Sequence, residues 1–176
     1  MRIAVVGRMR AESLGSSYIR AFRDAGCDPI AIDSEAIYWD VSWMLNRYTF
    51  RAVVGWVTRR ANSRLLARVM EARPHLILIF KGEWLMIDTL VRMRRLTGAP
   101  LFNYNPDHPF NPETSSKLLI DAIPEYDYYL TWTKFLVPEI LRGGARRAER
   151  ILSLYHQVIR RDGEKGSSLV LGCEDH

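Results

Sequence analysis

With 176 residues, 48% hydrophobic and 26% charged, the chain is long enough to bury one core and short for two, so one domain is the simplest expectation. Its net charge of +5 and pI near 9.4 come from arginines scattered between Arg2 and Arg161, which suits an anionic small molecule or solvated helix faces better than a nucleic-acid arm. The two cysteines, Cys27 and Cys173, lie far apart with no C-x-x-C pair, RNA-binding aromatic signature or basic heptad, so neither a disulfide framework nor a zinc knuckle is implied and a reducing cytoplasm is the expected location.

The opening MRIAVVG is too short an apolar run for a signal peptide and meets Arg8 and Arg10 at once. Residues 3–7 read as a buried strand and 13–25 as a helix, with Ser13 as N-cap and Gly26 as stop. A second strand is expected at 29–33. Residues 34–46 are aromatic and irregular and resist placement. A long amphipathic helix is expected over 47–72, its inner face formed by Val53, Val54, Val57, Leu65, Leu66, Val69 and Met70, and Pro74 ends it. The run HLILIF at 75–80 reads as a third strand, apolar on both sides as a sheet covered on both faces requires, and is far below the length of a membrane span. A helix over 84–97 closed by Gly98, a strand at 100–105, a short helix at 114–122 and a strand within 126–132 follow. Residues 134–142 read as a helix stopped by Gly143 and Gly144, and 149–156 as the last strand.

Six strands alternating with helices predict an α/β fold: a Rossmann-like, doubly wound, mostly parallel sheet in three α/β/α layers. In the common 3-2-1-4-5-6 order the first and fourth strands are neighbours at the switch point, so the loops 7–13 and 103–113 would flank one crevice. The second of these, NYNPDHPFNPE, packs three asparagines, Asp107, His108 and three prolines into one connection. Asp107 beside His108, on a loop stiffened by Pro106, Pro109 and Pro112, has the composition of a general acid–base site. Equally, Asn105, Asp107 and Asn111 can be turn formers bonding their own backbone, with His108 capping the loop.

At the end of the third strand, Gly82 allows a tight turn, and Lys81 or Glu83 can reach a ligand or simply face solvent. Gly7 to Gly15, with Asp33 after the second strand, invites a dinucleotide reading, but Arg8, Met9 and Arg10 occupy the turn where glycines must approach a pyrophosphate. Gly7 then serves the turn, and Arg8 or Arg10 remains able to meet an anionic group. Arg60, Arg64 and Arg68 form a like-charge stripe that needs an acid or an anionic partner. Arg142, Arg146, Arg147 and Arg150 surround a helix end, where positive charge suits the dipole, His75 at a strand start reads as structural, and Tyr126, Tyr128, Tyr129 and Trp132 read as core and rim packing. No H-E-x-x-H, G-x-S-x-G or Walker lysine is present, and no metal site is expected.

The order of KGEWL, FNYNPDHPF, IPEYDYYLTWTKFLVPEILRGGARR and the strand after them resembles the amino-terminal half of CgeB-like (spore maturation protein) glycosyltransferases, a family of the two-domain GT-B fold. The likeness spans most of residues 1–156 and rests on Lys81-Gly82, Asp107-His108-Pro109, Tyr126-Asp127 and Gly144-Ala145; His108 stands where the family's loop has its second acid. The resemblance implies an acceptor-side domain for transfer from a nucleotide sugar, with Asp107 or His108 catalytic and Gly7, Arg8, Arg10, Lys81, Gly82, Glu83, Asn105 and Pro109 lining the acceptor site. It also implies no tightly bound cofactor, a nucleotide sugar as donor substrate, and a saccharide or other hydroxyl acceptor.

Residues 157–176 are rich in glycine, serine and charge and too few for a second Rossmann-like domain, so a flexible tail is expected there. On that expectation the chain is a truncated or split transferase, inactive until a partner chain supplies a donor domain. The alternative is a non-catalytic module binding an anionic ligand or protein partner through the same crevice. If a donor domain packs here, Trp84, Phe110 and Tyr155 should form an apolar rim.

Overall fold

The computed structural model of the protein describes residues 1–45 and 54–151. The strands are β1 (Arg2–Gly7), β2 (Asp28–Asp33), β3 (Leu76–Phe80), β4 (Leu101–Asn105), β5 (Tyr128–Thr131) and β6 (Ala148–Arg150). They pair in parallel throughout, in the order β2-β1-β3-β4-β5-β6. The Rossmann-like α/β architecture expected from the alternation of strands and helices is the one found. The order is not: β1 neighbours β3, and β4 lies one strand further away.

The reason lies in the stretch that resisted placement. Residues 34–45 form a helix, α2 (Ser34–Leu45), whose first turn is capped by Asp33: its Oδ1 accepts the Ala36 N–H at 2.9 Å. Helix α3 (Val54–Ala72) packs on α2 through Val41, Val57 and Ala61 with Ile37 and Tyr38. The chain therefore crosses from β2 to β3 on a pair of helices, passes over β1, and sets β3 down on its far side. Of the expected inner face of α3, Val57, Leu65, Leu66 and Val69 are buried and Met70 packs at the core's edge, while Val53 lies outside the described residues.

Alternation along the strands sorts the two faces. Ala4, Val6, Ile77, Ile79 and Leu101 face α3 and helix α4 (Ile87–Thr97), meeting Leu65, Val69, Leu90 and Met93. Ile3, Val5, Leu78 and Tyr104 point the other way, towards Tyr18 and Ile19 of helix α1 (Leu14–Asp24). Ser13 caps α1 as expected, accepting the Ser16 N–H at 3.3 Å, and Gly26 follows its end with φ 76°. Helix α4 begins three residues later than expected because 81–86 form a connection of their own, and Gly98 closes it in the left-handed region.

Beyond β4 come a short helix, α5 (Lys117–Asp121), and a 3-10 turn at Ile123–Glu125. A second 3-10 turn at Lys134–Leu136 leads into α6 (Val137–Arg142). Phe110 packs on Gly143, where a Cβ would come within 2.7 Å of its ring, and Trp84 is half-buried. Tyr155 and the expected tail lie outside the described residues, as does most of the expected last strand. Among the described residues no helix is long and apolar enough to cross a membrane.

Two of the motif pairs quoted above sit at the end of the sheet opposite the β1/β3 switch. Asp127 precedes β5 and holds the start of β4: its Oδ2 accepts the Leu101 N–H at 2.8 Å, and Oδ1 meets Arg146 at 3.2 Å and Arg94 at 3.6 Å. Gly144-Ala145 forms the turn into β6, with Gly144 at φ 98° and Ala145 buried. Asp127→Ala should lower stability by about 1–3 kcal/mol in urea unfolding, because the Leu101 N–H loses its partner in a half-buried setting. Ligand binding at the opposite end should be unchanged.

Candidate functional site

The carboxyl ends of β1 and β3 open onto a cavity of about 420 Å³. This is the switch point of the observed order, where open α/β sheets bind ligands. Gly7 ends β1 so close to β3 that a Cβ there would lie 2.9 Å from the Cβ of Phe80. Gly15 is constrained likewise, since a Cβ would lie 2.8 Å from the Arg8 carbonyl oxygen. That carbonyl accepts the Ser13 hydroxyl at 2.7 Å, and the Arg10 carbonyl accepts the Ser16 hydroxyl at the same distance. The two glycines thus allow α1 to seat against the loop, with no dinucleotide fingerprint involved.

One wall of the cavity carries Arg8 and Glu35, with Arg10 at its rim. Arg8 grips Glu35 at two points, Nε to Oε2 at 2.6 Å and Nη2 to Oε1 at 2.9 Å, and Arg10 Nη2 approaches Oε1 to 3.6 Å. The Glu35 side chain is 12% exposed, whereas those of Arg8 and Arg10 are 58% and 70% exposed. Burial alone would raise the Glu35 pKa, but the Arg8 pair, the Arg10 charge and a hydrogen bond from Trp39 outweigh it and hold the carboxyl below the usual glutamate range. One acid therefore serves two arginines.

The opposite wall is built around Lys81. Lys81 and Gly82 both have positive φ, 61° and 82°, which folds the chain sharply out of β3. Gly82 is required twice over, for its φ and because a Cβ would lie 2.8 Å from the Tyr126 hydroxyl. The strained Lys81 backbone is held by its N–H donating to the Tyr104 carbonyl at 2.9 Å and its carbonyl accepting the Asn103 amide at 3.1 Å. Its ammonium reaches Glu83 Oε1 at 2.5 Å and Asp107 Oδ2 at 2.8 Å. Partial burial works to lower the lysine pKa, yet hydrogen bonds to Asp107 and Glu83 leave it raised. Stability from this cluster is accordingly complete below about pH 10 and is lost as the pH climbs through the raised value.

Asn62 of α3 fastens the connection 81–86. It is 4% exposed; its amide donates to the Thr58 and Trp84 carbonyls, both at 2.8 Å, and its Oδ1 accepts the Met86 N–H at 2.9 Å. Trp84 is thereby held against Tyr38 in a stacked pair, centroids 4.5 Å apart and planes 15° apart. Both rings line the cavity.

The 103–113 loop is largely occupied with itself. Asn105 Oδ1 accepts the Asp107 N–H and Asn111 Oδ1 the Glu113 N–H, both at 3.0 Å. The Asn105 amide donates to Tyr129 Oη at 3.0 Å; burial pushes that phenol up to about 12, with the Asn105 bond acting against it. His108 Nδ1 accepts the Phe110 N–H at 3.2 Å, which assigns the proton to Nε2, 3.5 Å from Glu139 Oε2. Asp107 and His108 therefore point to different partners and do not form a carboxylate–imidazole pair.

Of the residues singled out from sequence, Gly7, Arg8, Lys81, Gly82 and Glu83 line the cavity, Asp107 joins through Lys81, and Arg10 stands at the rim beside Glu35. Asn105 and Pro109 are buried beneath the loop, and His108 faces outward. Glu35, Tyr38 and Asn62 were missed. Asn62 had a legible signal: it is a polar residue inside the apolar stripe between Val57 and Leu66. Elsewhere, Arg64 pairs with Asp40 at 2.6 Å and Arg68 with Glu71 at 3.4 Å, so these two members of the basic stripe meet acids within the domain. Arg147 lies over the Tyr128 ring, and His75 Nδ1 accepts the Arg2 N–H at the far end of the sheet.

No protein-family model matches the chain, and no curated protein matches it.

Asn62→Ala should cost about 1–3 kcal/mol in urea unfolding, because it strips partners from the half-buried Met86 N–H and Trp84 carbonyl at once. A drop under about 0.5 kcal/mol would mean the 81–86 connection is held some other way. Glu35→Gln should lower stability near pH 7 by on the order of 1 kcal/mol. Since the native glutamate value is depressed, its contribution exists above the ordinary value near pH 4 and fades as pH falls through the native one. The gap between variant and wild type should therefore close in acid, and a gap constant from pH 7 to pH 3 would contradict the ion-pair account.

Proposed function

We propose that this domain binds a hydroxylated small molecule in the β1/β3 crevice and acts as the acceptor side of a GT-B-type glycosyl transfer, supplying binding and orientation. The donor would be a nucleotide sugar held by a second domain or partner chain. The observation carrying this reading is the Lys81 cluster: one ammonium fixes Glu83 and Asp107 at the cavity wall, leaving carboxylate oxygens as acceptors for sugar hydroxyls. The Trp84–Tyr38 stack supplies an apolar face of the kind a sugar ring lies on. Lys81-Gly82 and the Asp107 loop, two of the motifs behind the family resemblance, both belong to this corner.

A proton-abstracting role for this domain has less support. Both imidazole nitrogens of His108 are engaged, and Asp107 is tied to Lys81. A non-catalytic module for an anionic ligand is the competing reading, favoured by the two arginines on a single acid.

Thermal shift with a panel of mono- and disaccharides, nucleotide sugars and free nucleotides separates the two. Ligand at one hundred times its Kd stabilises by about 2.7 kcal/mol, a shift of several degrees for a domain of this size. Saccharides should raise Tm, Asp107→Asn should abolish the rise, and His108→Ala should leave it intact. Stabilisation by nucleotides alone, indifferent to Asp107→Asn, would select the competing reading.

A further inference from the structure

The ion-pair clusters at the two sides of the cavity are built in opposite senses, with Arg10 and Asp107 at its rim. On the β1/β2 side two guanidiniums share one carboxylate, Glu35; on the β3/β4 side one ammonium is shared by two carboxylates, Glu83 and Asp107. The two sides are separated by two to three strand spacings of about 4.8 Å, so the two clusters lie on the order of 10 Å apart. A neutral sugar would use only the acidic end. From this we infer that the crevice takes a phosphorylated sugar, free or as a nucleoside monophosphate, with its phosphate monoester against Arg8 and Arg10 and its hydroxyls towards Glu83 and Asp107. The inference rests on the acceptor-site reading above and adds the charge of the ligand and the direction in which it lies.

The cationic end has the donors for this. The Arg8–Glu35 contact engages Nε and one Nη of a guanidinium that carries five N–H donors, and Arg10 touches Glu35 only at 3.6 Å and is 70% exposed. Glu35 holds the Arg8 fork in place and, being depressed in pKa, remains anionic at neutral pH, so it orients the guanidinium while neutralising only one of the two charges. The Trp84–Tyr38 stack lines the same cavity and offers a ribose or base an apolar surface. The missing glycine-rich turn is no obstacle, because a terminal monoester approached by arginines does not need the close backbone contact that a bridging pyrophosphate demands.

Isothermal titration at 0.15 M salt with glucose, glucose 6-phosphate, AMP and inorganic phosphate tests the idea on the full chain. A phosphorylated probe should bind at least about tenfold more tightly than glucose and than inorganic phosphate, the increment expected of one charge-assisted contact. Arg10→Gln, which leaves the Arg8–Glu35 pair in place, should cut that affinity several-fold with only a small fall in Tm, since Arg10 meets Glu35 at 3.6 Å and is 70% exposed. AMP favoured over glucose 6-phosphate, with the preference lost in Trp84→Leu, identifies the nucleotide source; the reverse preference identifies the sugar phosphate. Glucose binding as tightly as its phosphate, or phosphate-dependent binding unchanged by Arg10→Gln, would overturn the inference and leave the acceptor-site reading standing. No binding of any sugar, phosphorylated or not, at millimolar concentration would remove both.

Discussion

The connection between β2 and β3 governs everything else at the functional end of this molecule. It is made of two helices packed on each other, α2 and α3, and it carries the chain over β1. Because β1 is thereby enclosed between β2 and β3, the winding reverses between β1 and β3. The same helix pair then forms one side of the resulting cavity. Tyr38 comes from α2, Asn62 from α3, and Glu35 from the first turn of α2 directly above the end of β2. A strand inserted between the two helices would have moved the crevice and dispersed these residues.

That geometry also explains why the two ends of the cavity differ in charge. Residues leaving β1 and entering α2 meet at the β1/β2 side, and there the sequence supplies Arg8, Arg10 and Glu35. Residues leaving β3 and β4 meet at the other side and supply Lys81, Glu83 and Asp107. Both groups are partly solvated, since their outer partners are 39% to 70% exposed. In each, the residue at the centre, Glu35 or Lys81, is the more buried, and its outer partners project towards the opening. The pocket is thus flanked by two ion-pair clusters built in opposite senses, and the Trp84–Tyr38 stack also lines it.

Much of the fold was legible in sequence because its signals are local. Apolar runs such as LILIF can only be buried strands in a chain of this polarity, and Ser13, Pro74 and Gly98 mark helix ends by their own stereochemistry. Strand order is not local, and it was misjudged for that reason: nothing in the residues 34–45 declares whether the chain crosses one strand or none. The candidate site suffered in proportion. Arg8, Lys81 and Glu83 were found because they adjoin strands, whereas Glu35 and Tyr38 sit in the stretch whose periodicity could not be read. The pairing of Asp107 with His108 failed differently. Adjacent residues on a proline-braced loop point in opposite directions, and one found Lys81 while the other found Glu139.

The loop 103–113 shows what its unusual composition is for. Asn105, His108 and Asn111 accept N–H groups from residues two positions ahead, at Asp107, Phe110 and Glu113, so much of the loop's hydrogen-bonding capacity is turned inward. Stiff prolines between those turns leave little to be lost when a ligand arrives, since ordering a flexible loop would itself oppose binding. What the loop offers the cavity is Pro106 as a wall and Asp107 as one fixed carboxylate, already oriented by Lys81. A loop built in this way suits the orienting role proposed for it better than a reacting one, because its one carboxylate at the cavity is already tied to Lys81.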